Sequence, residues 1–147
     1  MELAASGNAA SLAAPVAPGR IRVAIIDDEF LLRTAWQRIV ASQPDMELVL
    51  SLGSANELLS AARASSPDVL LVDLRMPGRD TFEALSELTA QLPAVRAIIF
   101  SGSSDRADFT RARDAGAYGF VDKLTPPSDI LSLIRSVSRG ERHFPTG

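Results

Sequence analysis

The chain contains no cysteine, which excludes disulfides, thiolate metal sites and cysteine nucleophiles. Histidine is nearly absent as well: His143, the only one, lies close to the C-terminus without metal-ligand companions and is read as solvated. No apolar run approaches the roughly 20 residues that a bilayer-spanning helix needs, so a membrane span is excluded. Positive charge is in deficit, with a formal net charge of -3, and the basic footprint of nonspecific nucleic-acid binding is therefore missing. No direct nucleic-acid contact by this chain is expected, and any DNA-binding module must be a different one. Lysine is the last scarcity. Fourteen of the 15 basic residues are arginine and one is Lys123, so a compact ammonium, not a planar guanidinium, stands at that single position.

What is present describes an ordinary globular domain. The chain has 147 residues, 46% hydrophobic and 22% charged, enough for one well-formed core and too few for two. Residues 1–20 are rich in Ala, Ser, Gly and Pro with no sustained hydrophobic period and read as a disordered tail. Glu2 and scattered polar residues interrupt the basic and apolar regions that an export signal requires, so a cytoplasmic location is expected.

From Ile21 onward, short apolar runs alternate with helical spacing, the pattern of βαβ units and a parallel sheet. Strands are expected at about residues 21–27, 47–52, 69–73, 97–101 and 118–123. Leu31, Leu32, Ala35, Trp36, Ile39 and Val40 recur at helical spacing after the first strand, and Pro44 closes that segment. Leu58, Leu59 and Ala62 mark a second helix, and Phe82, Leu85 and Leu88 a third. A fourth occupies about residues 105–115 with Gly116 in the position of a C-terminal cap, and the last runs from Pro126-Pro127 through Ile130, Leu131, Leu133, Ile134 and Val137 to Gly140. Five βα units make an α/β fold: a five-stranded, parallel, doubly wound sheet with helices on both faces, whose functional crevice lies at the carboxyl ends of the strands.

Polar groups close four of those strands: Asp27-Asp28, Asp73, Ser101 and Lys123. Aspartate is disfavoured in strands, and carboxylates gathered in one crevice repel one another, so three of them demand a counter-charge. A hard divalent cation with a preference for oxygen meets that demand, and Mg²⁺ is the natural candidate where Cys and clustered His are missing. Lys123 supplies a second positive charge. An aspartate beside a cation and an ammonium is a competent nucleophile toward a phosphoryl group, with both charges stabilising the transferring oxygens. Ser101 is placed to donate its hydroxyl to the same oxygens.

Asp27-Asp28, Asp73 within Val72-Asp73-Leu74-Arg75-Met76-Pro77-Gly78, Ser101-Gly102 and Lys123, each closing a strand in this order, resemble the receiver domain of bacterial response regulators over residues 21–140. The stretches Gly116-Ala117-Tyr118-Gly119-Phe120, Ile134-Arg135 and Gly140-Glu141 further resemble the LuxR/NarL-type branch. The resemblance implies a flavodoxin-like strand order 2-1-3-4-5. It makes Asp73 the phospho-acceptor and Asp27, Asp28, Asp73 and the Arg75 carbonyl the Mg²⁺ ligands. Ser101 and Lys123 become phosphoryl contacts, and Ser101 and Phe120 a switching pair whose aromatic ring turns inward. It also implies a sensor histidine kinase or a histidine phosphotransfer protein as partner, with Phe30 at the kinase-docking end of the first helix. The surface made by the fourth helix (α4), fifth strand (β5) and fifth helix (α5) becomes the switched face, with a homodimer through α4-β5-α5, and transcription the expected output. Residues 141–147 would be a C-terminal tail or the start of a linker. Two positions depart from the family pattern: Leu124 stands where most receivers have proline, and Thr81 where many have glycine.

Two other functions compete. An aspartate-nucleophile phosphatase of the haloacid dehalogenase type uses a similar sheet, Mg²⁺, Ser or Thr, and Lys, but needs Asp-x-Asp at the first strand where this chain has Asp27-Asp28-Glu29. An unphosphorylated interaction module on the same fold would have no need of the five site residues. The expectation is therefore a signalling switch and not a turning-over enzyme.

Overall fold

The computed structural model describes residues 19–102 and 105–144; most of the tail read at 1–20 lies outside the described residues. The elements are β1 (Ile21–Ile26), α1 (Phe30–Ala41), β2 (Met46–Leu52), α2 (Leu58–Ser65), β3 (Val69–Val72), α3 (Thr81–Gln91), β4 (Arg96–Ser101), α4 (Arg106–Asp114), β5 (Gly119–Asp122) and α5 (Pro127–Ser138). Five parallel strands form one sheet in the order β2-β1-β3-β4-β5. The expected α/β doubly wound fold and its strand order are both found.

Alternation along the central strands builds two cores. Ala24, Ile26, Leu70, Val72, Ala97 and Ile99 face α2, α3 and α4, where Leu58, Ala62, Phe82, Leu85, Leu88 and Ala112 cover them. Val23, Ile25, Val69, Leu71, Ile98 and Phe100 face Trp36 and Val40 of α1 and Ile130, Leu131, Ile134 and Val137 of α5. Because helices bury both faces, these strands read as unbroken apolar runs and not as polar–apolar alternation. Trp36 meets Phe100 edge-on at 5.9 Å, an arrangement that aromatic quadrupoles favour.

The first helix differs from its sequence pattern. Leu31 and Ala35 are exposed, whereas Trp36 and Val40 are buried and Leu32 and Ile39 half-buried. Each residue advances about 100° around a helix, so Leu31 and Ala35 stand one step off the stripe that Leu32, Trp36, Ile39 and Val40 present to the sheet. Phe30 and Leu31 thus form an apolar projection beside the carboxyl end of β1. No helix among the described residues is long and apolar enough to cross a membrane.

Gly116 ends α4 with a φ of +100°, and Gly116 N–H and Ala117 N–H donate to the Arg113 and Ala112 carbonyls, both at 3.0 Å. This left-handed closure aims β5 at the sheet edge. A Cβ at Gly116 would lie 2.6 Å from Thr89 side-chain atoms. Gly116→Ala is expected to cost ~1–3 kcal/mol, seen as a lowered urea midpoint with an unchanged denaturant slope.

Candidate functional site

β1 and β3 are neighbours at the centre of the sheet, with Ile26 opposite Val72. The next residues, Asp27 and Asp73, therefore leave the two strands side by side, and Asp73 N–H still donates to the Ile26 carbonyl at 2.8 Å. Both carboxylates are buried, while Asp28 on the following loop is exposed. One carboxylate oxygen each of Asp27, Asp28 and Asp73 lies within 4.8 Å of the others.

Local hydrogen bonds hold the acids in place. Asp27 Oδ1 accepts from Glu29 N–H at 2.8 Å, and the Asp27 carbonyl accepts from the Arg33 guanidinium at 2.6 Å. Asp73 Oδ1 accepts from Arg75 N–H at 3.4 Å, and its carbonyl accepts from the Thr81 hydroxyl at 3.2 Å. Thr81 is thus a buried side chain that ties the start of α3 to the end of β3.

Lys123 arrives from beyond β5. Its backbone N–H donates to the Ser101 carbonyl at 2.9 Å, its stem passes with the ammonium 5.6 Å from the Phe100 ring centroid, and Nζ reaches Asp27 Oδ2 at 2.8 Å, Asp73 Oδ2 at 3.4 Å and Glu29 Oε1 at 3.7 Å. Burial disfavours this ammonium, but the Asp27 hydrogen bond and the charges of Asp73, Asp27 and Glu29 outweigh it and hold its pKa above the ordinary value. Asp73 responds in the opposite sense. Burial, then repulsion from Asp27, push its carboxyl upward against the opposing pull of Lys123 and the Arg75 N–H.

A single ammonium thus faces Asp27, Asp73 and Glu29, and the Asp73 carboxylate stays unfavourably charged. An all-oxygen donor set with surplus negative charge fits a hard divalent cation such as Mg²⁺, so the residues present suit the metal that their types implied.

Ser101 is fully buried at the end of β4, at the same sheet edge. Phe120 is buried on β5, with its ring 4.6 Å from Phe109 of α4. The Arg75 side chain turns away from the acids and pairs with the buried Asp108 of α4 at 2.8 Å. Sequence reasoning placed Thr81 beside the Asp73 loop but missed Glu29, Arg33 and Asp108 as members of this neighbourhood. Only the placement of Arg33 one turn into the helix that follows Asp27 hinted at its reach.

Similarity to known proteins follows the same ground. A family model described as "Response regulator receiver domain" matches residues 23–135. The transcriptional regulatory protein YxjL of Bacillus subtilis is 31% identical over 127 residues, which make up 86% of this chain and 58% of that protein. The chain thus spans under two thirds of the length of this curated relative. A two-component response regulator of the LuxR family from Aurantimonas sp. SI85-9A1 superposes with a TM-score of 0.79 at 27% identity, covering 84% of this chain and 89% of that one. The signal receiver domain of NarL from Mycobacterium tuberculosis gives a TM-score of 0.79 at 26% identity, covering 84% and 100%.

The raised Asp73 pKa carries a definite sign. Between the ordinary 3.8 and the higher folded value the native state holds a proton that the unfolded chain releases, so stability falls as pH rises through this window. Metal-free Asp73→Asn is therefore expected to be more stable than the wild type at pH 7, with the gap closing on acidification below that window, as read by urea unfolding across pH.

Proposed function

The chain belongs to the response regulator receiver domain family, in its LuxR/NarL-type branch, and from that premise we propose that Asp73 accepts a phosphoryl group from a histidine kinase or histidine phosphotransfer protein. The observation that carries this reading is the convergence of Asp27, Asp28 and Asp73 on one point with the Lys123 ammonium against two of them. In the transfer, a carboxylate oxygen of Asp73 forms a P–O bond while the P–N bond to the donor imidazole breaks, and the imidazole leaves with that electron pair.

Asp27, Asp28, Asp73 and the Arg75 carbonyl would hold Mg²⁺, which when bound offsets the charge on the phosphoryl oxygens and relieves the carboxylate repulsion. Lys123 gives the second cation, and its raised pKa keeps it protonated throughout the neutral range. Asp27 anchors that ammonium at 2.8 Å, so Lys123 is oriented before any phosphoryl group arrives. Ser101 contributes a hydroxyl from β4, and Phe120 adjoins α4, which links the site to the α4-β5-α5 surface. A population shift of that surface controls an output, transcription in our reading, by stoichiometric modification and not turnover. The donor docks where Phe30, 67% exposed, Leu31, 81% exposed, and Leu124, 90% exposed, present an apolar rim next to the acids.

With acetyl phosphate and Mg²⁺, intact-mass spectrometry is expected to show one added phosphoryl group on the wild type and none on Asp73→Asn or in excess EDTA; Lys123→Ala should label roughly 10²-fold more slowly. Phe30→Ala is expected to slow transfer from the phosphorylated kinase roughly tenfold and to leave acetyl-phosphate labelling unchanged. Equal phosphotransfer rates for the two proteins would remove Phe30 from the docking surface.

A further inference from the structure

After α5 the chain turns at Gly140, with a φ of +92°, and runs back to the sheet. His143 pairs in parallel with Gly119: its N–H donates to the Tyr118 carbonyl at 2.8 Å, and its carbonyl accepts from Phe120 N–H at 3.1 Å. The residues that leave the domain thereby close the outer edge of β5, an edge that would otherwise present unpaired backbone groups. Gly119 makes the approach possible. A Cβ there would stand 3.0 Å from the His143 carbonyl oxygen, while its next contacts, on Ile98, are at 3.8 Å.

Side chains secure both flanks of the pairing. The Arg142 guanidinium lies 4.0 Å from the Tyr118 ring centroid, and that of Arg113, on α4, lies 5.3 Å from the Phe144 ring centroid. Phe144, like Phe109, packs against the core cluster that contains Phe120. The exit segment, the inward-facing Phe120 and α4 therefore form one contact unit: the backbone of Phe120 holds the segment, and its ring holds Phe109.

We propose that residues 141–144 are the element that reads the phosphorylation state, seated on the β5 edge in the state that phosphorylation of Asp73 favours. The inference rests on the reading of Asp73 as phospho-acceptor. Phe120 N–H holds the His143 carbonyl while its ring holds Phe109, and Arg113 of α4 lies over Phe144, so a displacement of Phe120 or of α4 disturbs the seat of the segment. Coupling is reciprocal: phosphorylation tightens the seat, and a damaged seat weakens the phosphorylated state. A second copy or partner strand that approaches the β5 edge must first displace this segment.

Hydrogen–deuterium exchange on the full chain tests this, with acetyl phosphate, Mg²⁺ and Asp73→Asn as control, and with phosphorylation verified by intact mass. Amides of 118–120 and 141–144 are expected to exchange about fivefold or more slowly in the phosphorylated wild type. Gly119→Ala, which places one methyl against the His143 carbonyl, should abolish that protection and weaken equilibrium binding of beryllofluoride with Mg²⁺, read by fluorine NMR, about fivefold or more. Phe144→Ala, outside the five strands, should act in the same direction and serves if Gly119→Ala does not fold. Confirmed phosphorylation with unchanged or faster exchange in both segments overturns the inference and leaves the acceptor intact, as does undiminished beryllofluoride affinity in a folded variant. A wild type that takes up no phosphoryl group overturns the acceptor reading, and this inference with it.

Discussion

The rest of the molecule depends on one electrostatic arrangement: two buried carboxylates at the ends of adjacent strands, bridged by an ammonium that reaches them from the far side of the sheet. Asp27 and Asp73 are brought side by side by the β1–β3 register, and without Lys123 their mutual repulsion in a dry crevice would act unopposed. Burial of an ammonium is itself unfavourable, so each partner is tolerated only because of the other. The Asp73 pKa, raised first by burial and then by repulsion from Asp27, records an imbalance that a single lysine does not cure.

That imbalance links structure to chemistry. A site satisfied by its own charges has no need of a metal ion or an incoming group, whereas this one gains by taking up positive charge beside Asp73. Backbone and side-chain ties hold the acids at fixed spacing against their repulsion, through Arg33 on the Asp27 carbonyl and Thr81 on the Asp73 carbonyl. Arg75 extends the arrangement outward: its N–H contacts Asp73, and its guanidinium holds Asp108 on α4. The loop that follows Asp73 is thus attached to α4.

Much of this was legible in the sequence because strands buried on both faces are unbroken apolar runs. Val69-Leu70-Leu71-Val72 and its counterparts announce themselves, and the polar residue that ends each run must lie at the sheet edge. The five βα units and the placement of Asp27, Asp73, Ser101 and Lys123 at that edge followed from the order of residues alone. The stripe on α1 was harder. Leu31 and Ala35 satisfy an approximate helical period, and only packing against the sheet separates them from Leu32 and Trp36. His143 was read as lying in a solvated tail; its side chain is indeed exposed, yet its backbone is part of the sheet edge.

Local pattern by itself determined element type, fold class and the identities of the charged groups, since these depend on neighbours within a few positions. Tertiary structure alone decided that Lys123 bonds Asp27 more closely than Asp73, that Arg75 points to Asp108, that Thr81 anchors the Asp73 carbonyl and that residues 142–144 lie along β5. The physical reason is range. Periodicity is a property of contiguous residues, whereas an ion pair or an edge pairing is set by the relative position of elements tens of residues apart, which no local pattern encodes.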